Sequence, residues 1–116
     1  MTLANKKAIV IIDKERILGF DLMQTLRAKN YLVNYESNPE TARRLIHRKS
    51  PDYIIIESES IEHIFAGTLY NEEAIRSFRN STGCSIIFDK QYRALSLFKK
   101  PFLSETVAKF LQEQEA

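Results

Sequence analysis

Short apolar runs alternate along this chain with stretches whose apolar residues fall three and four apart. Ala8-Ile9-Val10-Ile11-Ile12 is continuous and reads as a first strand. Ile17, Leu18, Leu22, Met23 and Leu26 then make one face of a helix from about Glu15 to Lys29, with Asn30 as a left-handed stop. Tyr31 to Tyr35 alternates as a second strand. Asn38-Pro39 starts a helix that turns Ala42, Leu45 and Ile46 inward and runs to about Lys49. Pro51-Asp52 leads into Tyr53-Ile54-Ile55-Ile56-Glu57, a β-branched run with the character of a strand covered on both faces. A polar loop with room for a helical turn, Ser58 to about Thr68, carries Ile61, Ile64 and Phe65. A helix follows from about Leu69 to Asn80, with Leu69, Ala74, Ile75 and Phe78 apolar. Cys84 to Phe88 and Ala94 to Phe98 are two further strands. Ser104 caps a last helix through about Gln112, striped by Val107, Phe110 and Leu111.

Strand and helix in alternation predict parallel strands joined by right-handed crossovers, with helices on both faces. Five strands in one domain predict a flavodoxin-like, doubly wound α/β fold with a parallel sheet in the order 2-1-3-4-5. One link is abnormal. Only Asp89 to Arg93 joins the last two strands, too few residues for the crossover of about a dozen that a parallel pair needs. The fourth helix is therefore missing or much shortened, or the fifth strand pairs differently.

Composition narrows the class. With 116 residues, 44% hydrophobic and 28% charged, residues 1–116 read as a single domain with one core. Residues 1–6 and 112–116 read as frayed ends; the second reads alternatively as the start of a linker. A net charge of +2 does not call for nucleic acid. A single cysteine, Cys84, gives no disulfide and no thiol cluster, which fits a reducing, cytoplasmic setting. No apolar run approaches the roughly 18 residues of a membrane span.

The candidate chemistry lies at strand ends, where open α/β sheets bind ligands. Glu57 closes the third strand, Asp13-Lys14-Glu15 closes the first, and Lys100-Pro101-Phe102 follows the fifth. These three landmarks, in this order, resemble the receiver domain of bacterial two-component response regulators over nearly the whole chain. The resemblance makes Asp13 part of a metal-binding acidic pair, Glu57 the phosphoacceptor position and Lys100 the family lysine. It also marks the departures. Glu57 stands where the family has aspartate, Lys14 replaces the second acid of the pair, Asp89 or Lys90 falls at the switch hydroxyl and Leu97 at the switch aromatic.

A working receiver gathers three carboxylates and one lysine, a net of about −2 that attracts Mg²⁺, a hard cation wanting oxygen ligands. Here Asp13 and Glu57 face Lys14 and Lys100, a net of zero. An inward Lys14 would take the place of the metal, and Glu57 would reach Lys100 as a phosphoryl imitation or as a structural ion pair. The expectation is a pseudo-receiver: no enzyme, no cofactor, no Mg²⁺, and a phosphorylation-independent output by protein binding. The alternative is a degenerate receiver still phosphorylated on Glu57.

Without a fourth helix, Tyr92, Leu95, Leu97 and Phe98 on the fifth strand would be more exposed. With Phe110 on the last helix they form the expected surface for a protein partner or a second copy. A phosphate loop of the flavin-binding type is excluded by the glycine-free Asp13-Lys14-Glu15-Arg16. His47 and His63 read as solvated. Arg43, Arg44, His47, Arg48 and Lys49 form a basic run on the second helix, read as a solvated face, so nucleic acid is not an expected partner.

Overall fold

The computed structural model describes residues 6–66, 72–78 and 80–116. Its strands are β1 (Ala8–Ile12), β2 (Leu32–Glu36), β3 (Tyr53–Glu57), β4 (Cys84–Asp89) and β5 (Ala94–Lys99). Its helices are α1 (Arg16–Ala28), α2 (Pro39–Lys49), α3 (Ile61–Phe65), α4 (Glu72–Phe78) and α5 (Ser104–Glu115). A 3-10 turn, Ser58–Ser60, joins β3 to α3.

The strands lie in one sheet in the order β2-β1-β3-β4-β5, as the sequence predicts. The sheet is mixed, however, where a wholly parallel one is expected. β1 pairs in parallel with β2 and β3, whereas β4 runs antiparallel to both β3 and β5. The cause is the four-residue link from Lys90 to Arg93, which suits an antiparallel hairpin and cannot carry a parallel crossover. Asp89 builds that turn. Its carboxylate accepts hydrogen bonds from the amides of Gln91 and Arg93, each at 2.9 Å, and from Arg93 Nε at 2.9 Å. Tyr92 takes a left-handed φ of 61° within it. With β4 alone reversed, β5 again runs parallel to β1 and β3. Its carboxyl end therefore reaches the same edge of the sheet as theirs. No helix lies between β4 and β5; α3 and α4 both precede β4.

Alternation along the strands sorts the core into two layers. Val10, Ile12, Ile54, Ile56, Ile86 and Phe88 face α2, α3 and α4 and meet Leu45, Ile46, Ile64 and Phe65. Ile9, Ile11, Ile55 and Ile87 face α1 and α5 and meet Leu22, Leu26, Val107 and Leu111.

The helix ends largely follow the sequence. Asn38 Oδ1 accepts from the amides of Glu40 and Thr41, Pro39 is the first helical residue of α2, and Asn30 stops α1 at a φ of 74°. Four details differ. Ile17 faces solvent at 90% exposure, because the buried stripe of α1 runs through Gly19, Leu22 and Leu26 on the other side. Ser104 does not cap α5. Leu103 holds that position, and the Ser104 hydroxyl instead donates to Asp21 on α1. The polar tail after Gln112 stays helical through Glu115, whose carboxylate accepts from the Tyr53 hydroxyl. The helix expected over Leu69 to Asn80 is described as Glu72–Phe78; Leu69 lies outside the described residues.

Candidate functional site

Three strand ends converge at one edge of the sheet. Asp13 follows β1, Glu57 ends β3 and Lys100 follows β5. Asp13 and Glu57 are 3% and 4% exposed. Lys100 Nζ lies 2.9 Å from Asp13 Oδ2 and 3.1 Å from Asp13 Oδ1, so it grips both oxygens. The same ammonium sits 3.7 Å from Glu15 Oε1. Asp13 Oδ1 also accepts the Glu15 amide at 2.8 Å.

Glu57 is satisfied differently. Its Oε2 accepts the Lys14 backbone amide at 2.8 Å and the Ser60 hydroxyl at 3.1 Å. Lys14 therefore meets the pocket through its backbone, and its side chain points to solvent. Two expectations change. The Lys14 ammonium does not fill the pocket, because the residue follows a strand end whose amide is aimed at Glu57. Lys100 pairs with Asp13 and not with Glu57. Asp13, Glu57 and Lys100 then sum to −1 when all are ionised, where zero was expected.

The electrostatics follow. Burial pushes the Glu57 carboxyl above its ordinary value; the Lys14 amide, the Ser60 hydroxyl and Lys100 oppose this without cancelling it, and the Asp13 charge adds to it. For Lys100 burial acts to lower the ammonium. The hydrogen bond and charge of Asp13, with Glu15 and Glu57 behind, outweigh it and hold Lys100 above its ordinary value.

Support comes from residues that sequence reasoning did not select. The Tyr35 hydroxyl donates to the Asp13 carbonyl at 2.6 Å, and the Asp13 amide donates to the Glu36 carbonyl at 3.2 Å. Both fix the turn after β1. Tyr35 can lie there because position 19 is glycine: a Cβ on Gly19 would fall 2.2 Å from the Tyr35 ring. Ser60 comes three residues after Glu57 and turns back onto it. Ser85, 2% exposed, stands opposite Glu57 in the β3–β4 ladder. Its only sequence signal is a hydroxyl at the start of a strand rather than at its end.

The other sequence-selected residues lie elsewhere. Asp89 pairs with Tyr53, at the far end of β3 from Glu57, so it cannot act as the switch position. Leu97 is 39% exposed on β5. Tyr92 is half-buried against Phe65, with ring centroids 5.7 Å apart, because the hairpin folds it onto the α3 layer. Leu95, Phe98 and Phe110 are half-buried on the α5 layer, and Phe98 and Phe110 pack edge to face at 5.9 Å. Besides Leu97, large apolar side chains are exposed at Ile17, Phe20, Leu32 and Leu103. Ile17 is 90% and Leu103 74% exposed, and a hollow of about 810 Å³ runs between Arg16, Ile17, Leu18, Pro101 and Phe102, reaching Lys100.

Among the described residues, no group of three or more His, Cys, Asp or Glu side chains is placed to hold a metal ion. Among them, no helix is long and apolar enough to cross a membrane. No family model, no curated protein and no solved structure matches the chain.

Proposed function

We propose that the chain is an atypical receiver-like module that works by binding a protein partner, without phosphoryl transfer and without a divalent cation. The observation that carries this reading is the internal satisfaction of the pocket. Lys100 occupies both Asp13 oxygens, and Glu57 is held by the Lys14 amide and Ser60. A ligand entering here would first have to break charge-assisted hydrogen bonds in a desolvated site. The partner surface is the groove next to this pocket, lined by Ile17, Leu18 and Phe102, with exposed Leu103 one residue beyond, together with β5. That strand lies at the edge of the sheet and shows Leu97, and an edge strand offers unpaired backbone groups to a partner or a second copy.

A second reading keeps the site as a degenerate receiver phosphorylated on Glu57. It is favoured by the outward Lys14 side chain, which leaves the pocket at −1. Amide NMR separates the two. Titration with Mg²⁺ and then beryllium fluoride, a phosphoryl mimic, is expected to leave Asp13, Glu57 and Lys100 unmoved. Saturable shifts confined to these residues would sink the binding-module reading in favour of the second. The surface is tested separately with Ile17→Asp and Leu103→Asp, both at exposed positions. Sedimentation of the free chain, and pull-down of any partner found, are expected to show weakened association with unchanged circular dichroism.

A further inference from the structure

The helix α2 has two chemically different sides. This helix buries Ala42, Leu45 and Ile46 against the sheet. Its other side carries Arg43, Arg44, His47, Arg48 and Lys49, all exposed. Arg43, Arg44, His47 and Arg48 follow helical spacing, so they share one face; with Glu40 they line a depression of about 550 Å³. The sequence alone leaves such a run as a solvated face. The structure adds that, among the described residues, no carboxylate pairs with any of these four, although Glu40 lies on the same face. A last-turn cation has a ready explanation in the helix dipole. Arg43 and Arg44 stand before that turn, and like charges three and four residues apart weaken a helix. Among the described residues no ion pair relieves the repulsion between Arg44 and Arg48, four residues apart; Glu40 is the one acid on this face.

We infer that this face is a docking site for a nucleic-acid duplex, contacted through its phosphates. The chemistry distinguishes it from other polyanions. Three of the four cations, Arg43, Arg44, Arg48 and Lys49, are arginine, whose planar fork matches phosphate oxygens two at a time. The exposed positions of α2 from Glu40 onward are all polar, so the face lacks the apolar centre that a protein interface uses. Its apolar side is already spent on the core, so α2 cannot lay that side into a lipid surface. No aromatic residue lies on α2, so bases are not stacked and the binding follows the backbone without sequence preference. The site is distinct from the Asp13–Glu57–Lys100 pocket and does not depend on the function proposed for it.

The test is fluorescence anisotropy of a labelled 20-base-pair duplex of mixed sequence with the whole chain, from 50 to 200 mM salt. Four cations give an expected slope of about −3 to −4 in log K against log salt. The variant Arg43→Gln/Arg44→Gln/Arg48→Gln keeps good helix formers at exposed positions, and circular dichroism confirms that it folds. It is expected to lose at least tenfold in affinity at 50 mM salt and to flatten the slope to about −1. Lys109→Gln, an exposed cation on α5, is expected to change binding less than twofold. No binding at 50 mM salt, or equal binding by the triple variant, overturns the inference. Equal affinity for polyglutamate of the same length, or for phosphatidylserine vesicles, overturns it as well and assigns the face to an acidic protein or an anionic membrane.

Discussion

Replacing Lys100 by alanine tests the central claim about the pocket, that its cation is a fixed part of the fold. Asp13 is 3% exposed, and the Lys100 side chain is 13% exposed. Removing one partner of such a buried pair costs about 3–5 kcal/mol, because the other charge is stranded. The lower end applies here, since Asp13 keeps the Glu15 amide and Lys100 is not wholly desolvated. A loss of about 3 kcal/mol, with a slope of about 1.5 kcal/mol per molar urea, lowers the unfolding midpoint by about 2 M. The pH dependence adds a second reading. Lys100 is one of the influences that lower Glu57, so its loss raises Glu57 further. An acid raised above its unfolded value favours the folded state below the unfolded pKa and loses that contribution as pH rises through the folded one. The deficit of Lys100→Ala is therefore expected to be larger at pH 7 than at pH 4.5. Urea titrations followed by circular dichroism at both pH values measure it. Asp13→Asn/Lys100→Met, which removes both charges, is expected to recover part of the loss. A deficit below about 1 kcal/mol, the range of a surface ion pair, would refute the reasoning. So would a deficit that grows on acidification.

Three further outcomes are expected. Glu57 is raised from 4.5, so its contribution to stability falls as pH rises above that value; Glu57→Gln should lack this fall and be at least as stable as the parent at pH 7 in urea titrations. Gly19→Ala drives a methyl group into the Tyr35 ring and should cost about 1–3 kcal/mol, with the amide resonances of Asp13 and Lys14 shifting because Tyr35 lets go of the Asp13 carbonyl. Asp89→Ala removes the acceptor of two turn amides and should cost about 2 kcal/mol in thermal or urea unfolding, while the resonances of Asp13, Glu57 and Lys100 stay in place.

The sequence carries the first half of the fold well, since β1, α1, α2 and β3 differ in period and are punctuated by Asn30, Asn38 and Pro51. The pocket is legible for the same reason: a charge at the end of an apolar run must come to the sheet edge. The direction of β4 is not legible from its residues. A continuous apolar run reads the same whichever way it lies, and only the short link after Asp89 shows that something changes. That reversal places Asp89 at the wrong end for a switch. The side chain of Lys14 follows a strand and obeys no period, so its outward course is fixed by the bond from its amide to Glu57. Gly19 and Tyr35 are 16 positions apart, and their contact has no local signature.

The reversed β4 also changes how the chain can assemble. Closing a loop costs entropy that grows with its length. The β4–β5 pair closes over four residues, whereas a parallel partner would wait for a long crossover to find its place. The hairpin from Cys84 to Lys99 is thus a unit of local contacts, able to form before it docks. It meets the rest of the sheet along one seam, β3 against β4. Lys100 rides at the end of that unit. The pocket therefore exists only once this hairpin is docked along β3, and its ion pair with Asp13 reports that it is.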